Sequence, residues 1–247
     1  MILVMALQHG WTIKDTDFDN AFVQAPLDPN VCIELPAMFQ DESGLGAKDV
    51  CLKLNKSLYR MVDSPHNWWL HISAGLKNIG FKPSQNDPDI WFGHGMVLIL
   101  HVDDILLVGP DESKMSEVFK QLQDAGFELT PEDHTDGAFH FLGIEVQMEG
   151  DMIQFSQHGL IKKLLETMGM TECNKKTTPA RQTPLGTDAN GTAFNEKWNY
   201  ASIVGVMMYL TANAHPEAQL TVHQLARFTH CPKNSHAQAV KQVCKYF

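Results

Sequence analysis

Residues 97–109 constrain the fold more than any other stretch, because two adjacent acids interrupt an otherwise apolar, β-branched run. Runs of this kind are typical of buried strands, so Asp103 and Asp104 are expected at the tight turn of a hairpin. Two like charges at such a turn cost electrostatic free energy unless a cation lies close to them. The stretch therefore predicts a divalent metal site.

Length and composition indicate a globular chain of one large or two smaller domains, with 247 residues and 44% hydrophobic content. The five cysteines are scattered without a C-x-x-C pair. The apolar N-terminus is too short for a membrane span and lacks the basic start of a signal peptide; we interpret it as the last turns of a helix. These features predict reduced thiols in an intracellular protein that does not insert into membranes.

The net charge of −10 conceals an asymmetry between the two parts of the chain. Residues 1–151 contain 9 basic and 24 acidic side chains, whereas residues 152–247 contain 10 basic and 5 acidic ones. An acidic metal-binding part followed by a basic part is compatible with an enzyme that acts on nucleic acid. Acidity that only confers solubility explains the charge equally well.

A second group of acids lies on the predicted strand 11–19, where polar and apolar residues alternate. Alternation places Asp15, Asp17 and Asp19 on one face. They fit a solvated sheet edge. If this strand instead meets the acidic hairpin, the carboxylates form the cluster of a two-metal phosphoryl-transfer site, with ions ~3.5–4 Å apart.

The clearest helix signal follows residue 63. Ser64 can cap the helix, Pro65 suits its first position, and Gly80 follows its end. The tryptophans are expected to belong to the core rather than to a base-stacking platform, because they share a stripe with aliphatic residues. The stripe consists of Trp68, Trp69, Ile72, Leu76 and Ile79.

The remaining patterns predict an α+β fold with helices on one face of an antiparallel sheet. The predicted strands are 31–35 (within the loop 26–43), 50–54, 89–92, and a second hairpin of 139–146 with 152–156 that turns at 149–151. The predicted helices are 111–126, 160–168, 201–214, 217–228 and 234–247, with a polar linker at 171–197 and the last helix still running at the end of the sequence.

Seven short motifs occur in one order along nearly the whole chain, and together they resemble the reverse transcriptases of copia-type LTR retrotransposons. They are Asp17-Phe-Asp-Asn-Ala-Phe22; Lys56-Ser-Leu-Tyr59 with Ser64-Pro65 and Trp68; Asp87-Pro-Asp89; His101-Val-Asp-Asp104; Phe141-Leu-Gly-Ile-Glu145; Tyr200-Ala-Ser with Gly205 and Met208-Tyr209; and His215-Pro-Glu217. A double-Asp turn alone occurs in many proteins. The order and spacing of all seven motifs make the resemblance to this family specific.

The resemblance implies a right-hand polymerase palm over residues 1–156, with the N-terminal part of the fingers missing. It further implies a thumb-like helix at 157–170, the linker at 171–197 and a helical connection-like region at 198–247, truncated before RNase H. The corresponding activity is DNA synthesis from dNTPs on an RNA or DNA template-primer. The resemblance leaves the oligomeric state open, and it places the protein in cytoplasmic virus-like particles or in the nucleus.

The resemblance also implies the catalytic residues. Asp17, the main-chain carbonyl of Phe18, and Asp103 would hold two Mg²⁺ ions, with Mn²⁺ as a possible substitute, because hard oxygen ligands favour these metals. Asp104 would be a supporting acid. A phosphodiesterase that uses the same acids has less support, because the sequence places no His or Lys general base beside them.

Further positions correspond to substrate contacts in the family. Phe22 would be an aromatic gate that collides with a 2′-hydroxyl, and Asp63 stands where the family has a glutamine against the incoming nucleotide. The segment Phe141, Leu142 and Gly143 would grip the primer end. Lys162 and Lys163 would face the duplex from the thumb, although lone lysines are equally compatible with ordinary solvated positions.

Four departures from the family pattern bear on activity: Arg60 replaces Gly, Asp63 replaces Gln, His66 replaces Arg and His101 replaces Tyr. Asp63 has the largest expected effect, because a carboxylate beside a triphosphate adds repulsion in place of a hydrogen bond. We therefore expect little or no primer extension by residues 1–247 alone. A polymerase domain and a non-catalytic remnant that binds nucleic acid both remain open.

Overall fold

The computed structural model describes residues 1–27, 31–34, 51–131, 138–150, 152–180 and 184–247. The chain divides into two compact units, Met1–Gly137 with Gly150–Ile153, and Ala138–Glu149 with Gln154–Phe247. Each unit has its own cluster of buried apolar side chains. The two units are therefore described separately.

The first unit is built on one antiparallel sheet. Its described strands are β1 (Thr12–Phe18), β2 (Cys32–Glu34), β3 (Cys51–Lys53), β4 (Lys82–Pro83), β5 (Ile90–Gly93), β6 (Met96–His101), β7 (Asp104–Gly109) and β8 (Leu129–Pro131). Its described helices are α1 (Ile2–His9), α2 (Ala21–Gln24), α3 (Ser64–Asn78) and α4 (Glu112–Asp124). Six strands form the main sheet in the order β4-β5-β6-β7-β1-β8, and β2 pairs separately with β3.

The predicted acidic hairpin is confirmed as β6 and β7, which are antiparallel neighbours. Ile105 and Leu107 of β7 belong to the core that the sheet shares with α3 and α4. Leu106 and Val108 alternate with them and are buried as well. Both faces of β7 are therefore covered, which explains its continuous apolar sequence. The predicted helices on one face of the sheet account for only one of these two buried faces.

Helix α4 begins and ends where its sequence predicts. The Asp111 carboxylate caps its start by accepting a hydrogen bond from the Lys114 main-chain N–H at 3.2 Å. Gly126, with φ +92°, follows its end. The apolar residues that recur at helical spacing along it are all buried: Met115, Val118, Phe119 and Leu122.

Helix α3 differs from its prediction at two side chains. Ser64 is the first helical residue rather than the cap, and its buried hydroxyl donates to the Leu58 carbonyl at 2.6 Å. Trp68 is 2% exposed, as a core residue should be, whereas Trp69 is 37% exposed. One residue along a helix rotates the side chain by about 100°, so the position of Trp69 within the predicted stripe was wrong.

The second predicted hairpin is a three-stranded sheet. Its strands are β9 (Ala138–Phe141), β10 (Ile144–Glu149) and β11 (Met152–Ser156), in the order β11-β10-β9. Residues 139–146 were predicted as one strand, but the chain reverses at Leu142 and Gly143, whose φ angles are +53° and +70°. Two successive left-handed residues are typical of a tight hairpin turn.

The helices of the second unit agree with their predictions except at 217–228, which divides into two helices, and at the end of the chain. They are α5 (His158–Met168), α6 (Tyr200–Asn213), a short 3₁₀ helix (Pro216–Ala218), α7 (Gln219–Ala226) and α8 (Asn234–Cys244). The described part of 171–197 contains no helix, and it belongs to the second compact unit, with Leu185 and Phe194 packed against the core of that unit. The last helix ends at Cys244 instead of continuing to residue 247, and Lys241 forms an ion pair with Glu196 at 2.6 Å.

The longest described helix, α3, has 15 residues. A helix that crosses a bilayer needs about 20 predominantly apolar residues. Accordingly, no helix in the described part of the chain is long and apolar enough to span a membrane.

The thiol of Cys244 is expected to be far less reactive than that of Cys231. Cys244 is 1% exposed and lies 3.1 Å from the Met168 sulfur, whereas Cys231 is exposed. Burial, with a smaller contribution from Cys173, raises the pKa of Cys244 to about 12. At pH 8 the small thiolate population should slow alkylation by at least about 10³-fold relative to Cys231.

Pulsed iodoacetamide labelling of the native chain, followed by peptide mass spectrometry, measures both rates in one sample. The control is the same pulse in guanidinium chloride, where the two cysteines should react at similar rates. Equal rates in the native chain would contradict the buried position of Cys244.

Candidate active site

Pairing of β1 with β7 brings the two predicted groups of acids together. In the antiparallel register, Asp17 lies directly opposite Asp104. Residues in such pairs have Cα atoms about 4.5–5.5 Å apart and side chains on the same face of the sheet. Asp17 is exposed and Asp104 is partly exposed, so these two positions meet at an accessible end of the strands.

Asp103 occupies the turn that joins β6 to β7. Its main-chain carbonyl accepts a hydrogen bond from the Phe18 N–H at 2.9 Å, which ties the turn to the end of β1. The preceding residue, Val102, has φ +57°, a left-handed conformation that is strained for a β-branched side chain. Asp17, Phe18, Asp103 and Asp104 thus lie together at one end of the central strands.

The chemistry of these groups fits a hard divalent cation. Like charges directly opposite each other destabilise an antiparallel pair, and a bound cation offsets that repulsion. Among the described residues, no group of three or more His, Cys, Asp or Glu side chains is arranged to hold a metal. The ligand set that the family resemblance implies is of another kind, since it combines the carboxylates of Asp17 and Asp103 with the carbonyl of Phe18.

The alternative interpretation of the first acidic group, a solvated sheet edge, is wrong. β1 lies inside the sheet between β7 and β8. Asp15 is 6% exposed, whereas Asp17 and Asp19 are exposed. Asp19 accepts a hydrogen bond from the Thr130 hydroxyl at 3.1 Å. The three acids therefore have different surroundings although they alternate along one segment.

Phe22 lies on the short helix α2 that follows β1. Its ring is partly buried against the core and packs on the half-exposed ring of Tyr59, with centroids 4.9 Å apart. Gln24 fixes α2 at the end of β1. Its amide nitrogen donates to the carbonyls of Asp19 and Glu128 at 2.6 and 2.8 Å, and its amide oxygen accepts the Glu128 N–H at 2.9 Å.

Asp63 is exposed immediately before α3, and its carboxylate does not cap that helix. The other departures from the family pattern, Arg60, His66 and His101, are exposed as well. Arg60 has φ +73°, a conformation that glycine adopts without strain. His101 ends β6 opposite Asp104. None of the four contributes a buried side chain to the core.

In the second unit, Phe141 ends β9, and Leu142 with Gly143 forms the turn to β10. The Tyr209 hydroxyl of α6 donates a hydrogen bond to the Leu142 carbonyl. Gly143 is exposed, and open space surrounds the position where a Cβ would be. A ligand backbone can therefore approach this turn closely.

Lys162 and Lys163 are exposed on α5. Lys163 lines an open groove of about 550 Å³ together with Gly143 and Tyr209, whereas Lys162 is not among the lining residues. The structure thus brings one of the two predicted lysines to the turn that carries Gly143.

Three side chains near these positions make polar contacts that were not predicted from the sequence. They are Gln24, Tyr209 and Trp68, and the Trp68 indole N–H donates to the Val102 carbonyl at 2.5 Å. Trp68 and Tyr209 belong to family motifs, which mark their positions without indicating their partners. Gln24 has no signal in a single sequence, because an isolated glutamine is usually exposed.

Comparison with known proteins establishes the family. The model of the family described as reverse transcriptase (RNA-dependent DNA polymerase) matches residues 1–182. The chain belongs to this family, and the resemblance to copia-type elements is confirmed by its relatives.

Among these relatives, the chain is 30% identical to the retrovirus-related Pol polyprotein from transposon RE1 of Arabidopsis thaliana, over 100% of this chain and 16% of that protein. It is 27% identical to the corresponding polyprotein from transposon TNT 1-94 of Nicotiana tabacum, over 99% of this chain and 19% of the relative. A putative transposon Ty5-1 protein of Saccharomyces cerevisiae is 24% identical over 93% of this chain and 74% of its own length. The chain thus spans less than one fifth of the two plant polyproteins.

Proposed function

We propose that this chain forms the catalytic centre of a copia-type reverse transcriptase, which transfers nucleotides from dNTPs to a primer paired with an RNA or DNA template. The observation that carries the proposal is the register of β1 and β7, which sets Asp17 opposite Asp104 and beside Asp103. Membership of the reverse transcriptase family supports the reaction class.

In the proposed reaction, the 3′-oxygen of the primer forms a bond to the α-phosphorus of the dNTP. The bond from that phosphorus to the bridging oxygen breaks, pyrophosphate leaves with the electron pair, and the hydroxyl proton passes to solvent. Asp17, Asp103 and the Phe18 carbonyl would hold two Mg²⁺ or Mn²⁺ ions. When bound, these ions strengthen the attacking oxygen as a nucleophile and stabilise the charge on the leaving group.

Phe22 is proposed to select the sugar. Its ring is held against Tyr59 on α2, directly after the strand that carries Asp17. A ring fixed under the sugar of the incoming nucleotide leaves no room for a 2′-hydroxyl, which distinguishes ribonucleotides from deoxyribonucleotides.

The second unit is proposed to bind the primer strand. Gly143 allows a nucleic-acid backbone to approach the β9–β10 turn, and Lys163 on the same groove provides a charge for a phosphate. Phe141 and Leu142 would shape the turn. Lys162 would add a further sequence-independent contact to the duplex.

Residues 1–247 alone are expected to show little or no primer extension on a primed RNA template. A chimera in which the preceding segment of the RE1 polyprotein is joined to this chain, with Asp63→Gln, is expected to incorporate dNTPs in Mg²⁺ and to stop in EDTA. Removing the Asp63 charge should raise incorporation about 10-fold over the same chimera with Asp63, because repulsion of the triphosphate is lost.

Asp124→Asn in the same chimera is the matched control, since Asp124 is an exposed acid at the end of α4 and should leave the rate unchanged. Robust primer extension by residues 1–247 alone would contradict the expected inactivity of this chain. It would still support the proposed nucleotide-transfer reaction.

The second candidate function is nucleic-acid binding without synthesis. It is favoured by the exposure of all four departures from the family pattern, since such residues can change without disturbing the core. Failure of every chimera to extend a primer, together with salt-dependent binding of the template-primer, would favour this candidate.

A further inference from the structure

Trp68, a buried residue of α3, contacts the turn that carries Asp103 from the core side of the sheet. Its side chain is 2% exposed, and its indole N–H donates to the Val102 carbonyl at 2.5 Å. Val102 is the residue between the end of β6 and Asp103. The only polar group of this buried side chain is therefore directed at the turn that carries the catalytic acids.

The hydrogen bond falls at a strained position. Val102 has φ +57°, which a β-branched residue adopts only where its surroundings stabilise it. The Val102 side chain is exposed, so packing of that side chain provides little restraint. The hydrogen bond from Trp68 restrains the main chain of the turn instead.

The same indole also supports the opposing strand. The Phe18 ring packs edge-on against Trp68, with centroids 4.9 Å apart and planes at 73°. Phe18 is buried, and its N–H donates to the Asp103 carbonyl. One side chain on α3 thus contacts both segments that must keep their spacing for the carboxylates to share a metal.

We propose that Trp68 is a positioning residue that sets the spacing between the end of β1, with Asp17 and Phe18, and the turn that carries Asp103. It does not touch substrate or metal. Its role in metal binding rests on the proposed function, whereas its role in holding the turn rests on the contacts alone. Groups that orient metal ligands in this way typically change metal affinity 10–100-fold when they are removed.

Trp68→Phe tests the proposal, because phenylalanine keeps an aromatic ring and lacks the N–H donor. Amide hydrogen exchange, resolved by NMR, should be at least about 10-fold faster at the Phe18 N–H, while amides in α4 keep their protection. Mn²⁺ affinity, measured by electron paramagnetic resonance, should fall by about 10-fold or more.

Trp91→Phe is the matched control. Trp91 is 0% exposed in the same core, and its indole nitrogen has no hydrogen-bond partner among the described residues. The substitution removes the same atoms without removing a hydrogen bond, so exchange at Phe18 and Mn²⁺ affinity should not change.

Unchanged exchange at Phe18 in Trp68→Phe, or equal acceleration in Trp91→Phe, would overturn the positioning role. Absence of Mn²⁺ binding by the unsubstituted chain, or binding that persists in Asp103→Asn, would instead count against the proposed metal site. In that case hydrogen exchange still decides whether Trp68 holds the turn.

Discussion

Asp103→Asn is expected to lower Mg²⁺-dependent dNTP incorporation by the RE1-extended Asp63→Gln chimera at least about 10³-fold. Asparagine keeps the shape of the side chain and removes the charge that a divalent ion requires. Loss of charge stabilisation worth several kcal/mol corresponds to this factor. Single-turnover extension of a primer on an RNA template, at saturating Mg²⁺, measures the rate.

Two neighbouring acids provide the controls. Asp104→Asn is expected to lower the rate of dNTP incorporation about 10-fold, because Asp104 is assigned a supporting role. Asp19→Asn should leave the rate within about twofold, because Asp19 is exposed and its carboxylate accepts a hydrogen bond from the Thr130 hydroxyl, which an amide oxygen can also accept. A larger loss in Asp104→Asn than in Asp103→Asn would identify the register pair of Asp17 and Asp104 as the principal metal ligands. It would reverse the roles assigned to the two turn acids.

Phe22→Val is expected to raise the ratio of ribonucleotide to deoxyribonucleotide incorporation about 10²-fold in the same chimera. Valine removes the ring that would collide with a 2′-hydroxyl and leaves the aliphatic contact with the core. Incorporation of dNTPs should change much less, because the missing volume matters only when the extra hydroxyl is present. Parallel single-nucleotide extensions with rNTP and dNTP give the ratio.

Phe92→Val is the matched substitution for this prediction. Phe92 lies on β5 with 51% of its surface exposed, so the change removes the same volume from the same unit without touching α2. The discrimination ratio should remain at its original value. A ratio that does not move in Phe22→Val, or moves equally in Phe92→Val, would exclude Phe22 as the sugar gate.

The acidic hairpin and helix α4 were predictable because their signals are local. An apolar run on either side of two acids, and an Asp followed by apolar residues at helical spacing, each specify an element without knowledge of its neighbours. The core role of Trp68 follows from the same spacing. These elements position the site, so much of its surroundings could be predicted from the residues alone.

Other features depend on tertiary neighbours and could not be predicted in this way. Alternation along residues 11–19 does not reveal whether β1 has one neighbouring strand or two, so the edge interpretation remained open until the strand order was known. The reversal at Leu142 was missed because a leucine with positive φ is unusual. Trp69 and Trp68 differ in burial only because a partner surface exists on one side of α3.

The roles of individual acids came from the family motifs and not from spacing. Alternation alone does not indicate which of Asp15, Asp17 and Asp19 is a metal ligand. The structure buries Asp15 and sets Asp17 opposite Asp104. The register therefore supports the choice of Asp17. It does not by itself separate Asp103 from Asp104, which is why the paired asparagine substitutions are informative.

The hydrogen bond from Tyr209 to Leu142 has a mechanical consequence. Tyr209 lies on α6, whose buried residues form part of the apolar cluster of the second unit. The phenol joins the β9–β10 turn to this helix, so the position of the turn depends on the position of α6. If the turn holds the primer end, the packing of α6 also helps to set where that end lies.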